Sequence, residues 1–148
     1  MQVKIKRLHP DAIMPQYASS GAACFDLHAL LEDGEVNGVF PGMPLVISTG
    51  LAFEIPEGRV MLVFSRSGHG FKNDVRLSNC VGVIDHDYRG ELKVKLANDQ
   101  DEFRGLFVSP GDRIAQALIV PFPKVEFDWA DELSDTERGE GGFGSTGS

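Results

Sequence analysis

Apolar and polar residues alternate through Leu92-Lys93-Val94-Lys95-Leu96, a period of two that predicts a half-buried strand with both lysines turned to solvent. The same period opens the chain, where Lys4 separates Val3 from Ile5 and Lys6 follows. Short apolar-rich runs recur at residues 45–47, 51–55, 60–64, 106–108, 114–120 and 125–129, and each reads as a strand. Between them stand turn formers: Pro41-Gly42, Pro56-Glu57-Gly58, Asp87-Tyr88-Arg89-Gly90 and Ser109-Pro110-Gly111-Asp112. No window of about 12 residues keeps a helical period free of Gly or Pro, so at most one or two short helices are expected, near residues 67–74 or 76–81. Strands at this spacing predict an all-β sandwich or barrel, a single domain over residues 1–131. Residues 132–148 change character, from charged to glycine-rich, and cannot pack as a strand or helix alone. They read either as a flexible tail or as an arm that closes on a ligand with a ring and a charge, Phe143 and Arg138.

Charge and cysteine usage narrow the function classes. The net charge of -8 argues against broad binding to nucleic acid, which needs a positive surface. It leaves open a small polyanion held by a local group of arginines. No apolar run approaches the roughly 20 residues of a membrane span. The N-terminus has no apolar signal region, so a cytoplasmic, intracellular protein is expected. Cys24 and Cys80 fit no C-x-x-C spacing and make no zinc pattern with His9, His28, His69 or His86, which predicts two free, partly buried thiols.

Three segments carry candidate chemistry. In Phe64-Ser65-Arg66-Ser67-Gly68 a strand runs into hydroxyls, a guanidinium and a glycine. This is either a solvated turn or a phosphate contact, since arginine forks onto phosphate oxygens and free backbone N–H groups add donors. In Gly82-Val83-Ile84-Asp85-His86-Asp87-Tyr88-Arg89-Gly90-Glu91 an apolar strand enters an acidic turn that contains an aromatic ring. It reads as a β-hairpin returning through residues 92–96, in which one carboxylate orients or deprotonates a water and Tyr88 walls a flat ring. Spacing does not choose between Asp85 and Asp87, but Asp85 directly follows the apolar run and is expected to be less exposed and better fixed. In Ile114-Ala115-Gln116-Ala117-Leu118 the lone polar side chain bonds either to backbone or to an active-site water or phosphate. The tail's Gly142-Phe143-Gly144-Ser145-Thr146-Gly147 matches G-x-G-x-x-G only formally, because no helix follows it.

Taken in order, these segments resemble the trimeric dUTPase family over nearly the whole chain. The family's five motifs match Gly21-Ala22-Ala23-Cys24-Phe25-Asp26-Leu27, Ser65-Arg66-Ser67-Gly68, Asn79 through Gly90, Pro110-Gly111-Asp112-Arg113-Ile114-Ala115-Gln116, and Arg138 through Gly147. The resemblance implies a jelly-roll β fold and a homotrimer with three shared active sites. Motifs one, two and four would come from one chain, motif three from a second, and the arm of a third would act as a lid. It implies hydrolysis of dUTP to dUMP and pyrophosphate by water attack at the α-phosphorus, which keeps uracil out of DNA and supplies dUMP for thymidylate synthesis.

The implied roles fall on particular residues. Asp85 holds the attacking water and bonds the sugar 3′-OH, and Gln116 helps to place phosphate or water. Tyr88 packs on the deoxyribose and rejects a 2′-OH. The backbone of Val83 and Ile84, with Asn79, reads the uracil edge, and Lys93 is a further substrate contact. Arg66, Ser67 and Gly68 meet phosphates. Phe143 and Gly144 cover the uracil, while Arg138, Ser145 and Thr146 bind the γ-phosphate. The implied cofactor is Mg²⁺, carried by the phosphates with no direct protein ligand and touched by Asp26 at most through water.

The chain departs from the family pattern at His69-Gly70-Phe71, where a small apolar pair is usual, at Cys24, and over a longer, charged segment 99–107. That segment is a candidate surface for an additional protein partner, or else a solvated loop. Two rival functions remain: a dCTP deaminase of the same fold, which ammonia release would reveal, and a non-catalytic binding protein.

Overall fold

Most of the apolar runs become strands in the computed structural model, which describes residues 1–101 and 103–142. In chain order the elements are β1 (Lys4–Arg7), β2 (Gln16–Tyr17), β3 (Phe25–His28), β4 (Asn37–Val39), β5 (Leu45–Ser48), β6 (Leu51–Glu54), β7 (Arg59–Phe64), α1 (Ser67–Asn73), β8 (Val75–Leu77), β9 (Val81–Ile84), β10 (Lys93–Asn98), β11 (Leu106–Val108) and β12 (Arg113–Pro121). A five-stranded sheet of order β2-β3-β12-β7-β9 and a three-stranded sheet of order β5-β10-β8 carry most of the residues, with β1-β6 and β11-β4 as two-stranded additions. All ladders within these sheets are antiparallel.

The two larger sheets share one core. Leu27, Met61, Val63, Ala115 and Ala117 enter it from one side, and Ile47, Val75, Leu77, Val94 and Leu96 from the other. In β10 the predicted alternation holds: Val94 and Leu96 are buried, Lys93 and Lys95 exposed. The longest strand, β12, lies between β3 and β7 and turns small buried residues, Ala115 and Ala117, to the core, while Gln116 and Leu118 are half-buried.

Four expectations are corrected. Residues 82–84 and 92–96 do not form a hairpin: β9 pairs with β7, β10 pairs with β5 and β8, and the connection between them crosses from one sheet to the other. Residues 76–81 are not helical, because Val75 and Leu77 are buried on a strand beside β10, and the single described helix is α1. The run at 125–129 forms no strand, since no sheet edge of its own chain pairs with it; Phe127 is 91% and Trp129 104% exposed. Both cysteines are free as expected, but Cys80 is exposed, in a turn at φ 62°, while Cys24 is half-buried. Strands β2, β3 and β4 stand where no strand is predicted, each short and rich in polar residues or glycine.

Segment 99–107 is braced. Arg76 Nη2 donates to Asp99 Oδ1 at 3.0 Å, and buried Asn98 donates to the carbonyls of Val39 (2.9 Å) and Arg104 (2.7 Å). Phe103 stacks on Phe40 and Phe107 meets it edge-on, which leaves two largely exposed rings at the surface.

Gly50 joins the frame to the segment between β9 and β10. Its N–H donates to Glu91 Oε1 at 2.9 Å, its carbonyl accepts from Leu8 N at 2.8 Å, and its φ is 68°. A Cβ there would lie 2.8 Å from both Ala12 Cβ and Leu30 Cδ2. Gly50→Ala therefore combines left-handed strain with overpacking. It is expected to lower stability by about 2–4 kcal/mol, read as a shift in the denaturant midpoint.

Candidate active site

Crossing between sheets opens a cavity of about 610 Å³, lined by Val83, Ile84, Asp85, Tyr88, Glu91, Leu92 and Lys93. Strand β9 supplies the first two, the turn supplies Asp85 and Tyr88, and the return segment into β10 supplies the rest. The turn is closed by Tyr88 N donating to the Asp85 carbonyl at 3.2 Å. Tyr88 Oη donates to the Glu91 carbonyl at 3.1 Å, so the ring is tethered across the loop. Gly90 makes this approach possible, because a Cβ there would fall 2.4 Å from that hydroxyl oxygen. Glu91 is the brace: one carboxylate oxygen accepts from Gly50 N and the other lies 3.4 Å from Lys93 Nζ. An adjoining space of about 240 Å³ shares Ile84, Leu92 and Lys93 and is also lined by Asn79 and Gly82.

A second group gathers where β7 ends. Asp26 on β3 sits between two guanidiniums, with Arg113 Nη1 donating to Oδ2 at 3.1 Å and Arg66 Nε 3.7 Å from Oδ1. A bulge between Arg113 and Ala115 in the β12–β3 ladder stands beside this contact, a common place for a bulge to re-aim a side chain. Arg66 caps α1 and also reaches the Arg113 carbonyl (3.1 Å) and His69 Nε2 (3.2 Å). Gln116, opposite Asp26 and Phe64 in register, donates from Nε2 to the Ser65 carbonyl at 3.0 Å, and Ser65 Oγ in turn accepts from Leu77 N at 2.9 Å. Two arginines against one carboxylate make a locally cationic spot on an acidic protein, suited to phosphate oxygens.

The two groups lie apart. In the β7–β9 ladder Phe64 faces Val81 and Met61 faces Ile84. Asp85 thus leaves one end of the ladder and Arg66 leaves the other, a separation of more than roughly 10 Å at about 3.3 Å per residue. One chain does not place Asp85 and Arg66 on the same phosphate.

The chain matches the dUTPase family model over residues 10–147. The chain belongs to the dUTPase family. It is 47% identical over 147 residues to the deoxyuridine 5′-triphosphate nucleotidohydrolase of Nautilia profundicola, covering 99% of each chain. The dUTPase of Staphylococcus bacteriophage 80alpha with dUPNHPP superposes with a TM-score of 0.86 at 31% identity, covering 99% of each chain. A mutant dUTPase from phage phi11 of S. aureus, with details of a structural Mg(II) ion, matches with a TM-score of 0.77 at 26% identity, covering 90% of this chain and 99% of that one.

Within this dUTPase the structure brings Asp85, Val83, Ile84, Tyr88 and Lys93 together, with Asn79 in the adjoining space. It brings Arg66 and Gln116 together with Asp26, with Ser67 and Gly68 beginning α1 beside them. Asp85 and Asp87 are both exposed, and what separates the two is that Asp85 lines the cavity. Gln116 takes the backbone alternative with its Nε2. Arg138 bonds within its own loop, Nε to the Gly141 carbonyl at 3.0 Å. Phe143, Gly144, Ser145 and Thr146 lie outside the described residues. The sequence pattern points to no role for Glu91, Arg113 or His69: Glu91 reaches Gly50, 41 positions away, Arg113 reaches Asp26, 87 positions away, and His69 meets Arg66 across the first turn of a helix.

Two histidines beside the arginines are held neutral. Burial keeps His28 below the ordinary 6.5, with Asp26 opposing and Arg113 and Arg66 reinforcing. Burial also lowers His69, with Arg66 and Arg113 reinforcing and Asp112 opposing. The unfolded chain therefore takes up protons near 6.5 that the folded chain refuses until lower pH. This part of the stability is complete above 6.5 and declines as pH falls from there through the depressed folded values. Denaturant midpoints are expected to drop between about pH 7.5 and pH 5.5, and the double variant His28→Gln/His69→Gln to drop less.

Proposed function

We propose that this dUTPase hydrolyses dUTP to dUMP and pyrophosphate in sites shared among the chains of a homotrimer. The observation that carries the reading is the separation of two complementary half-sites. A cavity with a carboxylate and a tethered aromatic ring stands at one end of the β7–β9 ladder, and an arginine group suited to phosphates stands at the other. Joining one chain's first half to another chain's second half gives a complete site.

In that site the Val83 and Ile84 backbone, with Asn79, reads uracil, and Lys93 adds a substrate contact. Tyr88 packs on the deoxyribose, where its hydroxyl's bond to the Glu91 carbonyl holds the ring across the loop against a 2′-OH. The Asp85 carboxylate orients a water and accepts its proton. The water oxygen bonds to the α-phosphorus as the bond to the bridging oxygen breaks and pyrophosphate leaves. Arg66, Ser67, Gly68 and Gln116 hold the phosphates, so the protein supplies positioning and charge neutralisation with no covalent intermediate. Among the described residues no three His, Cys, Asp or Glu side chains gather for a metal, and Asp26 is engaged by two arginines. That donor set fits Mg²⁺ carried in on the phosphates, with Asp26 reaching it at most through water. The chemistry it supplies when bound is neutralisation of phosphate charge.

Residues 132–148 serve as the arm that closes over a neighbour's site, with Arg138 and Thr146 among its γ-phosphate contacts. The extended run before it supports exchange between chains, since Val125, Phe127 and Trp129 alternate with Lys124, Glu126 and Asp128 yet lie exposed. The free thiols suit an intracellular setting, and among the described residues no helix is long and apolar enough to cross a membrane.

Pyrophosphate release with Mg²⁺ from dUTP, dTTP, dCTP and UTP side by side is the direct test, with selective cleavage of dUTP expected. Asp85→Asn should keep affinity for a non-hydrolysable dUTP analogue and lose about 10²- to 10⁴-fold in kcat. Phe127→Asp/Trp129→Asp is expected to shift the protein from trimer to monomer in sedimentation and to abolish turnover. A monomer with full activity would overturn the shared site.

A further inference from the structure

His69 lies in the first turn of α1, and its ring makes a specific contact. Nε2 lies 3.2 Å from Arg66 Nη1, which is a donor, so Nε2 must accept. The ring is then neutral with its proton on Nδ1. That nitrogen is buried and has no hydrogen-bond partner, a state proteins usually avoid. The opposite tautomer would set two N–H donors face to face, so the Arg66 contact decides the ring's form. The same guanidinium is held by the Arg113 carbonyl and faces the Asp26 carboxylate, which makes His69 the third acceptor around it.

We propose that His69 is a positioning residue for dUTP hydrolysis, its neutral ring accepting from Arg66 and aiming that guanidinium at the nucleotide's phosphates. This rests on the reading of Arg66 as a phosphate contact. Protonation of His69 removes the acceptor and sets a cation against Arg66, so binding weakens in acid. The charged groups around the ring are Arg66 at the head of α1, Asp112 in the turn before β12 and Arg113 at its start. The two cations favour the neutral ring and Asp112 opposes them.

The test uses the full-length protein and the variants His69→Gln, His69→Asn and His69→Leu. Gln places an oxygen near the position of Nε2; Asn is too short, and Leu has no acceptor. Steady-state dUTP hydrolysis is followed from about pH 5.5 to pH 8, the range in which an imidazole titrates. KM is expected to rise about five- to tenfold in the Leu and Asn variants, kcat to change less than about twofold, and Gln to restore KM. Wild-type KM should climb as pH falls below 6.5 while that of His69→Gln stays flatter. Nitrogen-15 NMR of the ring, assigned by its loss in His69→Gln, should show the proton on Nδ1 at neutral pH. A proton on Nε2, a Leu variant with wild-type KM, or Gln and Leu variants that behave alike would each overturn the proposal while dUTP hydrolysis stands. A wild type that leaves dUTP uncleaved would overturn both this role and the function on which it rests.

Discussion

Strand β7 is hydrogen-bonded to β12 on one side and β9 on the other, and that sharing decides where each reactive group stands. Because Gln116 faces Phe64 and Phe64 faces Val81, the end of β7 is where Gln116, Ser65 and Arg66 meet. Because Ile84 faces Met61, Asp85 must emerge at the far end. A slip of one residue in either ladder would turn Met61 and Val63 out of the core, where they are almost fully buried, so the register is held by the same apolar side chains that hold the fold. Gly82 belongs to this constraint. A Cβ there would lie 3.1 Å from Val63 Cβ, so glycine lets β9 lie close against β7.

The sequence made some of this legible and hid the rest, for physical reasons. Period-two alternation and short apolar runs are local signals, and they located β10, β5, β6 and β7 to within a residue or two. They could not say which strands pair. The turn around Asp85 reads as a hairpin because its two flanks are close in sequence, yet the chain changes sheets there and makes a cavity where a hairpin would have made none. Strand β8 was hidden for a different reason: three residues are too few to show a period, and its burial comes from β10 and the core. In the candidate site, residues that bear recognisable chemistry could be proposed from the sequence, and the fold gathers Asp85 with Tyr88 and Arg66 with Asp26. The braces could not, because the roles of Glu91 and Arg113 come from contacts with Gly50 and Asp26, far off in the chain.

Charge is arranged on two scales. The protein is acidic overall, at -8, which discourages long polyanions. Around Asp26 the sign reverses, and the two histidines beside the arginines are kept uncharged by burial, which spares the group further repulsion. A carboxylate between two guanidiniums orders them before any phosphate arrives, so less side-chain freedom is lost on binding.

A single chain is left with two deficits. Its half-sites stand at opposite ends of one ladder, and its run from Val125 to Trp129 presents large apolar side chains to water and is paired in none of the described sheets. Burying Phe127 and Trp129 is worth roughly 25 cal/mol for each Å² of apolar surface covered, and aromatic side chains bury about 150–250 Å² apiece. Covering them against a neighbour therefore supplies several kcal/mol, a gain that can offset the ordering of an extended segment. In the proposed trimer the same association would bring one chain's Asp85 cavity to another's arginines. On this argument the surface that would drive assembly and the geometry that needs it are parts of one solution, in which the proposed catalytic carboxylate, exposed in the isolated chain, is covered by a neighbour.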